Sequence, residues 1–203
     1  MARTPKVVED RREQIIDAAM RAFSQKGYSR ATNKDIAREA GITPGLIYHY
    51  FESKEALLKA IIEERSPLKL VSSIPPQVLT MPPEIFLHAL ILQVLGIVEE
   101  DKFMQLVRVI FPELIYNPKI TPVITAGLQQ VLGFLTTYFA SKMESGGLRQ
   151  ADPGLTSQVF LGSVMAFVIR RQILQDPQAL SYTREQIAAV VTETLLKGMA
   201  PGK

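Results

Sequence analysis

The segment GITPGLIYHYF, Gly41 to Phe51, sets a Pro-Gly pair at a helix start and then crowds three large aromatics and one of the chain's two histidines into four positions. Aromatics so close together ordinarily belong to a core, but tyrosine and histidine in alternation leave polar tips that a dry core must satisfy. Thr43 occupies an N-cap position and Pro44 the first helical position, where a missing N–H costs nothing. At about 100° per residue, Ile47 and Phe51 fall one turn apart and, with Ile42, form an apolar side. Gly45, Leu46 and His49 then lie opposite, with Tyr48 and Tyr50 on the two flanks. Only one of the three aromatics is needed in a core.

Upstream, ATNKDIAREAG offers Thr32 as a cap and Asp35 in the first turn of a short helix that stops at Gly41, with Ile36, Ala37 and Ala40 as its inner stripe. Before it, Ile15, Ala18, Ala19 and Phe23 recur at helical spacing between Arg11 and Lys26, and Gly27 stands at the C-terminal cap. Downstream, Ser53 caps KEALLKAIIEER, whose inner stripe is Ala56, Leu57, Ala60 and Ile61. A short helix, a turn at a glycine and a second short helix make a helix-turn-helix, which offers its second helix to the DNA major groove.

Five prolines between Ser66 and Glu84 are too many for a continuous helix, so a domain boundary is expected near residue 66, giving domains 1–66 and 67–203. Beyond it, apolar segments at about residues 83–99, 101–116, 120–144, 155–174 and 183–199 read as helices, separated by Pro118, Gly146-Gly147, Asp152-Pro153 and Asp176-Pro177. The expectation is an all-α chain of about nine helices, with a three-helix helix-turn-helix domain, a linking fourth helix and a larger helical domain. Residues 84–98 and 154–174 are apolar on more than one face, which demands either a second subunit or an internal cavity.

A chain of 203 residues, 47% hydrophobic, supports one or two modest domains. It has no cysteine, which excludes disulfides, thiolate metal sites and a cysteine nucleophile. Its first residues lack an apolar signal core and no segment runs to about 18 uninterrupted apolar residues, so the cytoplasm is the expected location and no membrane partner is expected. Net charge is only +3, but up to Arg38 nine Lys/Arg face five acids, a bias compatible with nucleic acid.

On a helix inserted in the groove, Leu46 suits a thymine methyl, His49 can donate to a base or phosphate, and Tyr48 and Tyr50 can offer hydroxyls to phosphate oxygens. Thr32 and Thr43 open helices whose free N–H ends suit phosphate, and Asn33 is counted with them. Lys54 sits in a first helical turn, where a cation is disfavoured by about 0.3 to 1 kcal/mol unless an anion lies nearby. Singly, His49 is equally an exposed histidine and Lys54 a solvated lysine. The joint spacing is what points to DNA.

TNKDIAREAGITPGLIYHYFESKEALL, Thr32 to Leu58, with REQIIDAAMRAFSQKGYSRAT before it, resembles the DNA-binding signature of the tetracycline-repressor (TetR) family over about residues 11–61. The resemblance implies a homodimeric transcription regulator, usually a repressor on a palindromic operator, released when a small molecule enters the C-terminal domain. It implies phosphate contacts from Thr32, Thr43, Tyr48, Tyr50 and Lys54, groove contacts from Pro44, Gly45, Leu46 and His49, and a basic arm holding Arg3, Lys6 and Arg12. Dimerisation would fall to residues 155–174 and 183–199, with Gly162 to Ala166 allowing close approach.

The implied effector pocket draws on Phe103, Met104, Val107, Phe111, Tyr116, Phe134, Tyr138, Met165 and Phe167, which together suit a hydrophobic ligand, although any one of them is more often plain core. RVIFPELIYN, Arg108 to Asn117, is the one later stretch reminiscent of the family. His88 reads as a satisfied core or interface histidine, and Arg108 and Arg170 as ion-pair partners.

Two histidines about 39 residues apart exclude a histidine-rich metal site, and no P-loop, nucleophile elbow or dinucleotide-binding glycine pattern occurs. No enzyme, cofactor or metal is expected, and Glu99, Glu100 and Asp101 read as solvated helix-end acids. Two other readings remain: a helical small-molecule-binding protein or adaptor without DNA binding, and a TetR-like activator.

Overall fold

The computed structural model describes residues 5–65 and 74–199, and the regular elements among them are helical. They are α1 (Pro5–Lys26), α2 (Asn33–Ala40), α3 (Pro44–Tyr50), α4 (Lys54–Arg65), α5 (Pro83–Val98), α6 (Asp101–Tyr116), α7 (Thr121–Glu144), α8 (Pro153–Val168), α9 (Pro177–Leu180) and α10 (Arg184–Gly198). Nine helices run seven residues or more among the described residues, and α9 is a further single turn not anticipated from the sequence. Asp-Pro pairs do more than separate helices. Asp152 caps α8 through Leu155 N–H, and Asp176 caps α9 through Gln178 N–H, each with proline at the first helical position. Arg3 lies outside the described residues, as do the side chain of Lys6 and residue 66, where the boundary is expected.

The chain divides into two compact units. The first is Met1–Ser66 together with Asp101–Ala126, and the second is Pro67–Glu100 together with Gly127–Lys203. A single cut at residue 66 does not describe this division, because α6 packs on α1 and α4 inside the first unit. Leu106 and Val109 of α6 share its core with Ile15, Ile16, Phe23, Ile36, Ile47, Leu57 and Ile61. α6 tolerates an internal proline, Pro112, on its exposed side, and Glu113 next to it is buried and accepts from Asn117 Nδ2 at 3.2 Å.

In the second unit α10 packs against α5 and α8. α7 is 24 residues long and apolar enough to cross a bilayer by length and composition. Its buried positions Val131, Leu135, Tyr138, Phe139 and Met143 repeat at helical spacing, the pattern of a core helix with one face inward. Tyr138 is fully buried against Phe86 and Phe139 and donates its hydroxyl to the Met81 carbonyl at 3.0 Å. Burial holds that phenol far above the ordinary tyrosine range.

The helix expected over 155–174 is regular only to Val168 and continues as a π turn, Ile169–Ile173, in which Leu174 N–H reaches back five residues to the Ile169 carbonyl. From this turn Arg171 is buried and donates to the carbonyls of Ala179 (2.9 Å) and Tyr182 (2.6 Å) and to Glu99 Oε1 (2.6 Å). Glu99 Oε2 accepts from Arg184 at 2.7 Å. Glu99 is therefore not a solvated helix-end acid but the bridge between two arginines. Arg170 does make the ion pair expected of it, with Asp176. Arg108 is exposed, and His88 is half-buried on α5.

Two outcomes are expected. Thr32→Ala removes the capping box of α2 and lowers the stability of the first unit by about 1 kcal/mol in urea unfolding. Glu99→Ala leaves the buried Arg171 cation without its carboxylate and destabilises the second unit by about 3 kcal/mol, with little effect on the first.

Candidate nucleic-acid interface

The turn between α2 and α3 is closed by Gly41, whose φ of +64° lets Ile42 N–H return to the Ala37 carbonyl at 2.9 Å. An L side chain at this φ is strained by about 1 kcal/mol or more, so glycine sets the angle at which α3 leaves. Ile47 and Phe51 are buried and Ile42 half-buried, which pins the apolar side of α3 to the core as its spacing requires. Pro44, Gly45, Tyr48 and His49 are exposed and Leu46 is half-exposed. A side chain added at Gly45 would meet nothing, so the start of α3 presents an open, slim surface.

The two tyrosines separate. Tyr48 is 61% exposed, whereas Tyr50 packs partly against the core and meets the edge of the His49 ring at 5.4 Å. Thr43 holds the N-cap backbone of α3 without a side-chain cap bond, because Leu46 N–H is taken by the Thr43 carbonyl at 3.0 Å. Its exposed hydroxyl is left facing outward.

Thr32 and Lys54 are both hydrogen-bonded within the chain. The Thr32 hydroxyl accepts from Asp35 N–H and donates its one proton to Asp35 Oδ2 at 2.8 Å, so it has no donor left for a phosphate. Hydrogen bonding by Lys26, then by Thr32, holds the Asp35 carboxyl well below the usual carboxylate range. Lys54 Nζ donates to the carbonyls of Tyr28 (2.9 Å), Ala31 (3.1 Å) and Ser29 (3.4 Å), and lies 4.4 Å from the Tyr28 ring centroid. Its three donors are committed within the protein. Asn33 is half-buried, with its Oδ1 buried and unpartnered. Arg12, expected in a basic arm, belongs to α1, pairs with Glu64 and lies over the Phe51 ring.

Beneath this surface, Tyr28 is buried edge-on to Phe23 at 5.2 Å, and its phenol is pushed up to about 12, by burial first and then by Glu55 and Glu113. It stays protonated at any physiological pH. The one signal of this buried layer in the sequence is an acid, Glu113, inside an otherwise apolar helix segment.

The nine residues expected to line an effector pocket do not share one environment. Tyr138 is core, and Phe134 packs edge-on against Phe86 at 6.0 Å. Phe111 and Tyr116 are 53% and 81% exposed, and Phe103, Met104 and Val107 are half-buried on α6. Met165 is half-buried on α8, and Phe167 faces an open groove beside α10.

A glycine-closed helix-turn-helix with an exposed second helix on an all-α frame defines a DNA-binding regulator. Residues 15–61 match the family described as bacterial regulatory proteins, tetR family, and residues 86–197 match the AefR-like transcriptional repressor C-terminal domain. The chain belongs to the TetR family of transcriptional regulators. HbdR of Aromatoleum sp. is 54% identical over 54 residues, which is 27% of this chain and only 24% of that regulator. YhgD, an uncharacterised regulator of Bacillus subtilis, is 29% identical over 197 residues, covering 94% of this chain and 97% of its own. The structure of a SmeT–triclosan complex superposes with a TM-score of 0.71 at 22% identity, covering 96% of each chain.

His49→Ala is expected to change which bases are preferred in a randomised-duplex selection. Tyr48→Phe, which removes only a hydroxyl, is expected to weaken binding to all duplexes alike, by about tenfold to a hundredfold for one lost bond to a charged group.

Proposed function

We propose that this regulator is a homodimeric repressor, bound to a palindromic operator through Thr43, Tyr48, Tyr50 and the Pro44–His49 face, and released by a small hydrophobic effector. The observation that carries the dimer is on α8 and its π turn. Leu155, Val159, Gly162, Ala166, Ile169 and Ile173 are all exposed and follow one another at alternating spacings of four and three. This is the seam of helices that pack on helices of another chain. Gly162 sits in mid-helix, where glycine costs about 1 kcal/mol against alanine, yet nothing in its own chain fills the space beside it. Close approach of a second backbone accounts for it. An open, mostly apolar groove alongside, lined by Phe167 of α8 and Val190 and Leu195 of α10, extends the same face.

Dimerisation through this face would place two α3 helices on two half-sites, which is the reason for a palindromic target. Support for an apolar effector comes from the half-buried Phe103, Met104 and Val107 of α6 and from the triclosan complex of SmeT, a repressor of a multidrug efflux pump in Stenotrophomonas maltophilia. The match of residues 86–197 to a repressor C-terminal domain favours repression over activation.

Val159 is 61% exposed in the single chain, so Val159→Lys adds a charge without disturbing the fold. Sedimentation is expected to find the wild-type chain dimeric and the variant monomeric, with the variant's affinity for a two-half-site duplex at least a hundredfold lower and its helicity unchanged. A variant that stays dimeric moves the interface elsewhere.

A further inference from the structure

We propose that Glu99 is a positioning residue for the subunit contact, holding one end of α8 and α10 at a fixed separation so that the apolar groove between them stays open to a second copy of this chain. It rests on the proposed dimer face and adds what gives that face its shape.

The groove is not shaped by its own two helices. Phe160 of α8 and Val191 of α10 are buried along its floor, while Val159 and Val190 stay exposed on its walls. α10 packs chiefly along α5, so its distance from α8 is set by whatever grips the helix ends. One end is closed by Arg149 in the loop before α8, whose N–H and Nε donate to the carbonyls of Met199 (2.9 Å) and Gly198 (2.7 Å) at the end of α10. The other end is closed by Glu99. Its Oε1 accepts from Arg171 Nη2 at 2.6 Å, in the π turn that continues α8, and its Oε2 accepts from Arg184 Nε at 2.7 Å, in the first turn of α10.

Charge placement accounts for a carboxylate here. A negative charge at the C-terminus of α5 and a positive one at the N-terminus of α10 each oppose their own helix dipole. Where the two ends meet, each charge instead suits the other helix as well as the other charge. Gly96 leaves room for this, since a Cβ there would stand 3.4 Å from Arg184 Nη1.

Arg171 carries the grip to the seam. It is buried, and a buried guanidinium is costly without its carboxylate. Ile169 and Ile173 lie two residues to either side of it, about half a turn away, so holding Arg171 inward turns both isoleucines outward, where they end the exposed row that begins at Leu155. The same guanidinium holds the carbonyls of Ala179 and Tyr182, so the segment from the π turn to α10 cannot slide without breaking it.

The test uses the full-length chain and reads dimer dissociation by sedimentation, under conditions where helicity is that of the wild type. Arg184 is exposed, and its loss leaves Glu99 paired with Arg171, so Arg184→Met keeps the fold. Arg184→Met and Glu99→Gln are each expected to raise the dissociation constant by about tenfold or more, and the double variant to be no weaker than the weaker single one. Arg184→Lys is expected to stay within about threefold of the wild type, because both guanidinium donors meet one oxygen, which an ammonium also reaches. A pair that is merely structural lowers the urea midpoint but leaves the dissociation constant of folded chains as it was, and that result overturns the proposal. It is equally overturned if the two losses multiply, since Arg184 then touches the partner directly. Should Glu99→Gln fail to fold, Glu99→Asp, a methylene too short to reach both arginines, replaces it in the cycle. A wild-type chain that stays monomeric, or a Val159→Lys variant that stays dimeric, overturns the reading of the interface and this proposal together. A dimer that Val159→Lys breaks and Arg184→Met does not weaken overturns this proposal alone.

Discussion

A helix of seven residues cannot hold itself in water, because nucleation costs more than so few hydrogen bonds return. α3 exists only because Ile47 and Phe51 are buried against the first unit's core. Each contributes about 1.5 to 3 kcal/mol of apolar burial, the order of what a short helix lacks. Everything that faces DNA is therefore borrowed from packing. Gly41 sets the angle at which α3 leaves α2, Ile42 closes the turn, and α1, α4 and α6 supply the surface that α3 rests on. The exposed half, proposed to read bases, and the half that holds the helix down are interleaved along Pro44–Phe51, so substitutions one residue apart are expected to fall into different classes of effect.

The first 65 residues were legible because their information is local. Caps at Thr32 and Ser53, the glycine stop at Gly41 and the stripes of Ile15, Ala18, Ala19, Phe23, Leu57 and Ile61 all follow from spacing, and the structure places each where spacing requires. Thr43 is where spacing stops deciding. Its backbone is in cap geometry, but the bond its side chain would make was already filled by its own carbonyl. Propensity names the residue that can cap, and only geometry says whether a donor is left for it.

Partnerships at long separation were not legible. Lys54 and Tyr28 are 26 residues apart, and Glu99 and Arg184 are 85 apart. Neither pairing has a period or a motif, since a charge says nothing of its partner until the chain has folded. The same blindness hid the membership of α6, whose Leu106 and Val109 complete a core begun ninety residues earlier. The aromatic residues offered for a pocket show the opposite difficulty, a signal too common to be specific. Phe, Tyr and Met at helical spacing are the ordinary material of cores and surfaces, and Tyr138, fully buried beside Phe139, is core in this chain.

The π turn at Ile169–Ile173 gives chain length a structural meaning. A π turn holds one residue more than α geometry needs. The turn can therefore give up one residue and close to α geometry with its flanks in register, whereas removing one residue from the α-helical Leu155–Val168 would swing every side chain beyond by about 100° round the axis. In that second case Arg171 would leave Glu99 and the carbonyls of Ala179 and Tyr182 with no change in its own identity. Before the turn the fold is written in the count of residues as much as in their kinds, and a single deletion there would unlock what no conservative substitution reaches.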